Sequence, residues 1–156
     1  MKTEDRIREQ KLLIEEIGAQ FDREGMSPVS GRVLALLMIM DKEQFTFDEI
    51  VEELEISKSS AIVALKTLEI KGDIEYMTLP GDRKRHFRLK ARNPFVLIDD
   101  FVEKMKGFQK VQERILELKA DHNSRVSQFL IELNKIMDFV LSNTEEIKDQ
   151  YAKLKE

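Results

Sequence analysis

Phe45–Lys90 reads FTFDEIVEELEISKSSAIVALKTLEIKGDIEYMTLPGDRKRHFRLK. Thr46 and Glu49 have the spacing at which a hydroxyl and a carboxylate close the first turn of a helix, and Phe45 and Ile50 can staple that start. This helix is short and ends near Leu54. Glu55-Ile56 leads to Ser57, a favoured N-cap, and a second helix runs from there to about Lys71, where Gly72 supplies a left-handed C-terminal residue. Two helices joined by so short a turn make a helix-turn-helix candidate. Past Gly72 the period changes. Ile74–Leu79 alternates imperfectly as a strand, Pro80-Gly81-Asp82 signals a turn, and Lys84–Lys90 alternates again with Phe87 and Leu89 on one face. A hairpin directly after a helix-turn-helix gives the order of a winged helix.

Helices flank this stretch on both sides. Ile7, Leu13, Ile14, Ile17 and Phe21 fall at helical spacing between Arg6 and Arg23, and Gly25 is a stop. Ser27-Pro28 starts a further helix, with serine as the cap and proline at its first position. That helix carries Val33–Met40, apolar on nearly every side, so it must be buried centrally or between subunits. Asn93-Pro94 ends the hairpin. Beyond it Ile98, Phe101, Met105, Phe108, Val111, Ile115 and Leu118 form one helical stripe, and Val126, Phe129, Leu130, Leu133, Ile136, Met137 and Val140 form a second. The polar segment 120–124 separates them, and Ser142–Glu146 is expected to cap a further short helix. The fold class is mainly α, an α+β winged helix. Residues 1–24 are read as an N-terminal helix, 25–93 as the winged helix-turn-helix and 94–156 as a helical dimerisation region.

The chain has 156 residues and a net charge of −4, unevenly spread. Residues 1–56 carry −7, residues 57–92 carry +5 and residues 93–156 carry −2. A basic stretch inside an acidic chain points to one surface that meets an anion. There is no Cys, which removes disulfides, thiolate metal sites and cysteine nucleophiles, and the two His, His86 and His122, fall on different elements. No cofactor and no metal are expected. The longest apolar run is far short of the roughly 20 residues of a membrane span, and the N-terminus is charged without a signal-like apolar region. A soluble, cytoplasmic protein with no membrane partner is the expectation.

On the second helix of the helix-turn-helix, Ala61, Ala64, Leu65 and Leu68 share one face and should pack inward. The other face carries Lys58, Ser59, Ile62, Val63 and Lys66. A recognition helix presents its N-terminal residues to base edges in the major groove. Ser57, Lys58, Ser59, Ser60, Ile62, Val63 and Lys66 are therefore the candidate DNA-binding residues. The serine hydroxyls suit phosphates or bases, the helix N-terminus favours a phosphate, and the aliphatic pair suits thymine methyl groups. The competing reading of Ile62 and Val63 is core packing. At the hairpin tip Arg83, Lys84 and Arg85 are three consecutive cations, suited to a minor groove and its phosphates. His86 is read as a strand side chain or phosphate neighbour rather than a catalyst.

Gly25–Arg32 (GMSPVSGR), Leu54–Ser60 (LEISKSS), Ala64–Glu69 (ALKTLE) and Leu79–Lys84 (LPGDRK) resemble the GbsR/MarR-type regulators. The Met-Ser-Pro-x-x-Gly-Arg element is the distinctive one, and the likeness is good over about residues 20–95. It implies a homodimeric winged-helix transcriptional regulator. It also implies that Ser57–Lys66 and Arg83–Arg85 contact DNA and that the terminal helices form the dimer interface. Some members of this branch control choline or glycine betaine metabolism, but the aromatic cage that a quaternary ammonium calls for is not legible here. The chain has no Trp, and Phe21, Phe101, Phe108, Phe129 and Phe139 fall in stripes where core packing is expected.

The dimer also follows from the residues. The tail carries more apolar stripe than a 70-residue winged helix covers, and such stripes need a partner surface. Ile14, Ile17, Phe101, Met105, Phe108, Phe129, Leu133 and Ile136 are the expected interface residues. A two-fold axis would present two recognition helices to a pseudo-palindromic operator. The partners are therefore double-stranded DNA and a second copy, with repression as the expected output. An effector that changes the spacing of the two helices has a place in this scheme, but the residues do not identify one. No phosphate loop, H-E-x-x-H helix or G-x-S-x-G elbow occurs, so an enzyme is not expected. The alternative is a winged helix used as a protein-interaction module.

Overall fold

The computed structural model describes residues 3–154, which form two compact units that divide between Ala91 and Arg92. The first holds α1 (Thr3–Arg23), α2 (Pro28–Ile39), β1 (Phe45–Thr46), α3 (Phe47–Leu54), α4 (Lys58–Lys71), β2 (Ile74–Thr78) and β3 (Arg85–Leu89). The second is a pair of long helices, α5 (Phe95–Leu118) and α6 (Arg125–Lys153).

The helix boundaries follow local chemistry. Ser27 accepts from the Ser30 N–H, with Pro28 beginning α2. Thr46 and Glu49 complete a reciprocal capping box on α3. Ser57 caps α4, and Gly72 ends it at φ 72°. Glu55, between α3 and α4, is also left-handed, at φ 50°, although it is not a glycine. The sheet has the order β1-β3-β2 and is antiparallel throughout. Its third strand is a finding beyond the predicted hairpin: Phe45 pairs with Phe87 and Thr46 with His86. This joins the start of α3 to the second strand of the hairpin.

The core of this unit is aliphatic. Val33, Ala35, Leu36, Ile50, Leu54, Ala64, Leu65, Leu68, Ile74 and Phe87 are buried together, with α2 at the centre. The apolar run on α2 is buried only as far as Leu37, and Met38 is exposed. Ile14 is 3% exposed and belongs to this same core, and Ile17 is half-buried against it. Both were expected at a dimer interface; within the chain Ile14 is already buried in the core, while Ile17 keeps part of its surface exposed. The reason is the close approach of α1 to α2. A Cβ on Gly31 would lie 3.0 Å from the Gly18 carbonyl oxygen and 3.1 Å from Phe21 Cβ. Gly31→Ala must therefore push the two helices apart. It is expected to cost about 1–3 kcal/mol, read as a lower urea midpoint at unchanged slope.

The second unit is built the other way round. The side of the helix pair that is buried carries Val102, Gln109, Gln112, Ser127 and Met137. Gln109 Nε2 donates to Asp138 Oδ1 at 2.8 Å, and Ser127 Oγ donates to the Asp121 carbonyl at 2.7 Å. Gln112 is 1% exposed, and its Oε1 has no hydrogen-bond partner among the described residues. Phe101, Phe108, Phe129 and Phe139, expected in packed interiors, are all more than half exposed, as is Ile136. Met105 and Leu133 are half-buried. The predicted break at 142–146 is absent, and α6 is continuous to Lys153. Ser142, Asn143 and Thr144 turn their side chains back onto the carbonyls of Asp138, Phe139 and Val140 instead of capping a new start. No described helix is long and apolar enough to cross a membrane.

Candidate nucleic-acid interface

The inward face of α4 is Ala61, Ala64, Leu65 and Leu68, all buried. Its outward face is Lys58, Ser59, Ile62, Val63 and Lys66, all exposed. Ile62 and Val63 are 58% and 65% exposed, so the core-packing reading of these two residues does not hold. Ser57 is committed locally: its Oγ accepts from the Ser60 N–H at 3.2 Å and donates to Ser60 Oγ at 2.8 Å. Ser60 is half-buried, which leaves Ser59 as the most outward of the three hydroxyls. Thr67, one turn beyond Val63, donates to the Val63 carbonyl at 2.9 Å.

The wing tip spans residues 79–84, with Gly81 at φ 80° making the turn. Asp82 organises it. One carboxylate oxygen accepts the Lys84 backbone N–H at 2.9 Å and the other lies 2.8 Å from His86 Nε2. The Lys84 N–H first, and His86 second, hold the Asp82 carboxyl below its usual value. His86 is therefore a strand residue that braces the turn. The three predicted cations differ in their surroundings. Arg83 is exposed and makes no ion pair among the described residues. Lys84 Nζ lies 3.7 Å from Asp48 Oδ2, with both side chains mostly in solvent. The Arg85 guanidinium lies 4.5 Å from the centre of the Tyr76 ring, a cation–π arrangement that fixes its direction.

Helix face and wing border the same cleft. A cavity of about 500 Å³ is lined by Ile62, Lys66 and Glu69 from α4, Lys84 and Arg85 from the wing, and Phe47, Asp48 and Phe87 between them, so three cations outnumber two carboxylates. Two basic elements far apart in sequence thus meet across one apolar floor. The linkage runs through β1, which pairs with β3 and passes directly into α3.

One residue that positions this surface was not legible beforehand. Arg32 reaches from α2 to both neighbours: Nε and Nη2 donate to Glu15 Oε1 at 2.9 and 2.6 Å, and Nη2 donates to the Leu54 carbonyl at 3.0 Å. Leu54 ends α3, where carbonyls lack helical partners. Arg32 thus satisfies the chain just before the left-handed Glu55 and the start of α4. The Gly31-Arg32 pair was visible as part of a motif, but its reach across three helices was not. Gly18 makes room for it, since a Cβ there would lie 2.7 Å from Arg32 Cγ.

A solved transcriptional regulator superimposes on this chain with a TM-score of 0.68, covering 93% of this chain and 99% of its own, at 21% identity. The fold is a winged helix. Wild-type MarR from E. coli is a more distant match, with a TM-score of 0.40 and 20% identity over 85% of this chain and 92% of its own. In sequence, the chain is 29% identical over 77 residues to the HTH-type transcriptional regulator MmpR5 of Mycobacterium tuberculosis. The match takes in 49% of this winged-helix chain and 47% of that protein, so it spans about half the length of the relative. No family model matches.

Proposed function

We propose that this chain is a DNA-binding transcriptional regulator, not an enzyme, and that it acts as a homodimer. The observation that carries the reading is the shared cleft. Lys66 on the exposed face of α4 and Lys84 and Arg85 on the wing line one depression, with Arg83 at the exposed tip beside them. That arrangement suits a duplex, with the helix in the major groove and the wing on the adjacent minor groove and its phosphates. The resemblances to named regulators support the same class. The Met26–Arg32 motif supports the GbsR-type branch, and repression by operator occupancy is the simplest output of such a dimer.

Dimerisation rests on the second unit. Its exposed side is a nearly continuous apolar face, with Leu97, Phe101, Phe108, Val111, Ile115 and Leu118 along α5 and Val126, Phe129, Ile136, Phe139 and Ile147 along α6. A soluble chain does not keep so large a patch in water. A second copy, related by a two-fold axis, supplies a matching surface and sets two recognition helices about one DNA turn apart, roughly 34–36 Å.

The test is fluorescence anisotropy of the full chain on random-sequence duplex across salt. Affinity is expected to fall by about 10³–10⁵ between 50 and 200 mM if six to ten phosphates are neutralised. No binding at low salt would overturn the proposal and turn the basic face into a protein-docking surface.

A further inference from the structure

The exposed face of α4 has an unusual composition for a helix that would read bases. Between Lys58 and Lys71 there is no Arg, Asn or Gln. Arg or Lys makes paired hydrogen bonds to guanine in the major groove, and Asn or Gln to adenine, so lysines alone remain on α4 for that role. The outward stripe is instead Ser59, Ile62, Val63 and Lys66, at positions i, i+3, i+4 and i+7 of one helical face. Its centre is aliphatic, and both β-branched side chains lie largely in solvent. Neither belongs to the buried core, which collects the opposite face of the helix, and Ile62 only borders the apolar floor of the cleft at Phe47 and Phe87.

Charge identifies the occupant of this aliphatic centre. Lys58 and Lys66 stand four residues before and four after Ile62, so cations bracket it along the helix axis. On one side Ile62 borders the cleft in which Lys66, Lys84 and Arg85 outnumber Asp48 and Glu69, and on the other Val63 borders a shallow depression with Ser27, Ser59 and Ser60. A ligand that meets this surface is a polyanion carrying apolar groups at its centre. In the major groove one base offers such a group, the 5-methyl of thymine.

We infer that Ile62 and Val63 are the specificity-determining residues of α4 and that they read thymine methyl groups, so each operator half-site carries T·A pairs beneath them. The inference rests on the DNA-binding reading above and adds what that reading leaves open, the chemistry of sequence choice. Lys58 and Lys66 supply affinity along the phosphates, Ser59 accepts either hydrogen-bonding sense, and the aliphatic pair discriminates. A/T content in the half-site is a consequence of the methyl contact, not of the lysines.

The experiment selects duplexes from a random library with the full-length protein, then remakes the enriched duplexes with deoxyuridine in place of thymidine one position at a time. Deoxyuridine keeps the base pair and removes only the methyl. Enriched sites are expected to share thymines at fixed positions, and each substitution there is expected to weaken binding about fourfold, the value of one buried methyl-sized group. Ile62→Ala should bring the thymidine-to-deoxyuridine ratio to about one at one set of positions and Val63→Ala at another, while Ile62→Val keeps most of it. Both sites are exposed, so these variants should fold, and their salt slopes on random duplex should match the parent chain. Enriched sites that tolerate deoxyuridine everywhere, or ratios that Ile62→Ala leaves unchanged, would overturn the methyl readout and leave the DNA-binding proposal standing. Failure to enrich any duplex would overturn both.

Discussion

Phe108→Glu with Phe129→Glu is expected to halve the solution mass of the protein and to weaken its binding to a selected duplex by 10²-fold or more. Both rings are more than half exposed, at 54% and 63%, so the change leaves no cavity in the chain and loses little folding energy. What it removes is the apolar character of the outer face of α5 and α6. A buried aromatic contributes some 150–250 Å² of contact. Each ring has a little over half of that still exposed, so the four rings of a dimer can supply roughly a quarter to a third of a standard interface of about 1,600 Å². Four carboxylates forced together across a two-fold axis would add repulsion and desolvation. The DNA effect follows from avidity: linking two half-site contacts gains about 10²–10⁴ over one. Analytical ultracentrifugation reads the mass and circular dichroism checks the fold. A double variant that stays dimeric would place the interface elsewhere. The polar residues on the buried side of the helix pair give the face its logic. Gln109 and Gln112 on α5 bond to Asn134 and Met137 on α6, and Ser127 ties the start of α6 to the Asp121 carbonyl of the connecting loop, which releases the large apolar side chains to face outward.

Much of the winged-helix unit was legible because its signals are local. A hydroxyl three residues before a helical N–H, a glycine at a left-handed position and a change of hydrophobic period are each decided within a few residues. They place Ser57, Gly72 and the wing correctly. What depends on distant partners was not legible. β1 is two residues long and exists because Phe45 and Thr46 find Phe87 and His86 some forty residues away. Glu55 takes a conformation that its side chain does not advertise, stabilised by the chain around it, where Arg32 holds the preceding carbonyl. Ser142–Thr144 has the composition of a helix start, but the same hydroxyls can bond backwards to i−4 carbonyls, and inside a long helix they do. The apolar stripes of the tail were read correctly as stripes. Which residues they bury against is a property of the packing: Ile14 went to the core of its own unit, while Phe101 and Phe129 did not. At the candidate site the sequence named the cations, and the structure added their unequal surroundings.

Those surroundings make the wing the second large effect. Replacing Arg83, Lys84 and Arg85 together with alanine is expected to lower the slope of log affinity against log salt by about 2.7 if each cation neutralises one phosphate, at roughly 0.9 per contact on duplex DNA. Taking 1 M salt as the point where the two proteins bind alike, this corresponds at 0.1 M to about 500-fold in affinity, lost equally on random and selected duplexes, because phosphates carry no sequence. The single variants should rank in a definite order. Arg83 is free of competing ion pairs among the described residues, so Arg83→Ala should take the largest share. Arg85 is pre-aimed by Tyr76 and loses little entropy on meeting a phosphate, so it follows. Lys84 must leave Asp48 first, and its gain on binding is reduced by that exchange. Asp48→Asn should then act in the opposite direction, tightening binding modestly, because it frees Lys84 and removes a negative charge from the cleft. The α4 variants are expected to behave differently: Ile62→Ala should leave the salt slope unchanged and flatten sequence preference. A triple wing variant with an unaltered slope would mean that the wing does not touch phosphates, even if the protein still bound DNA through α4.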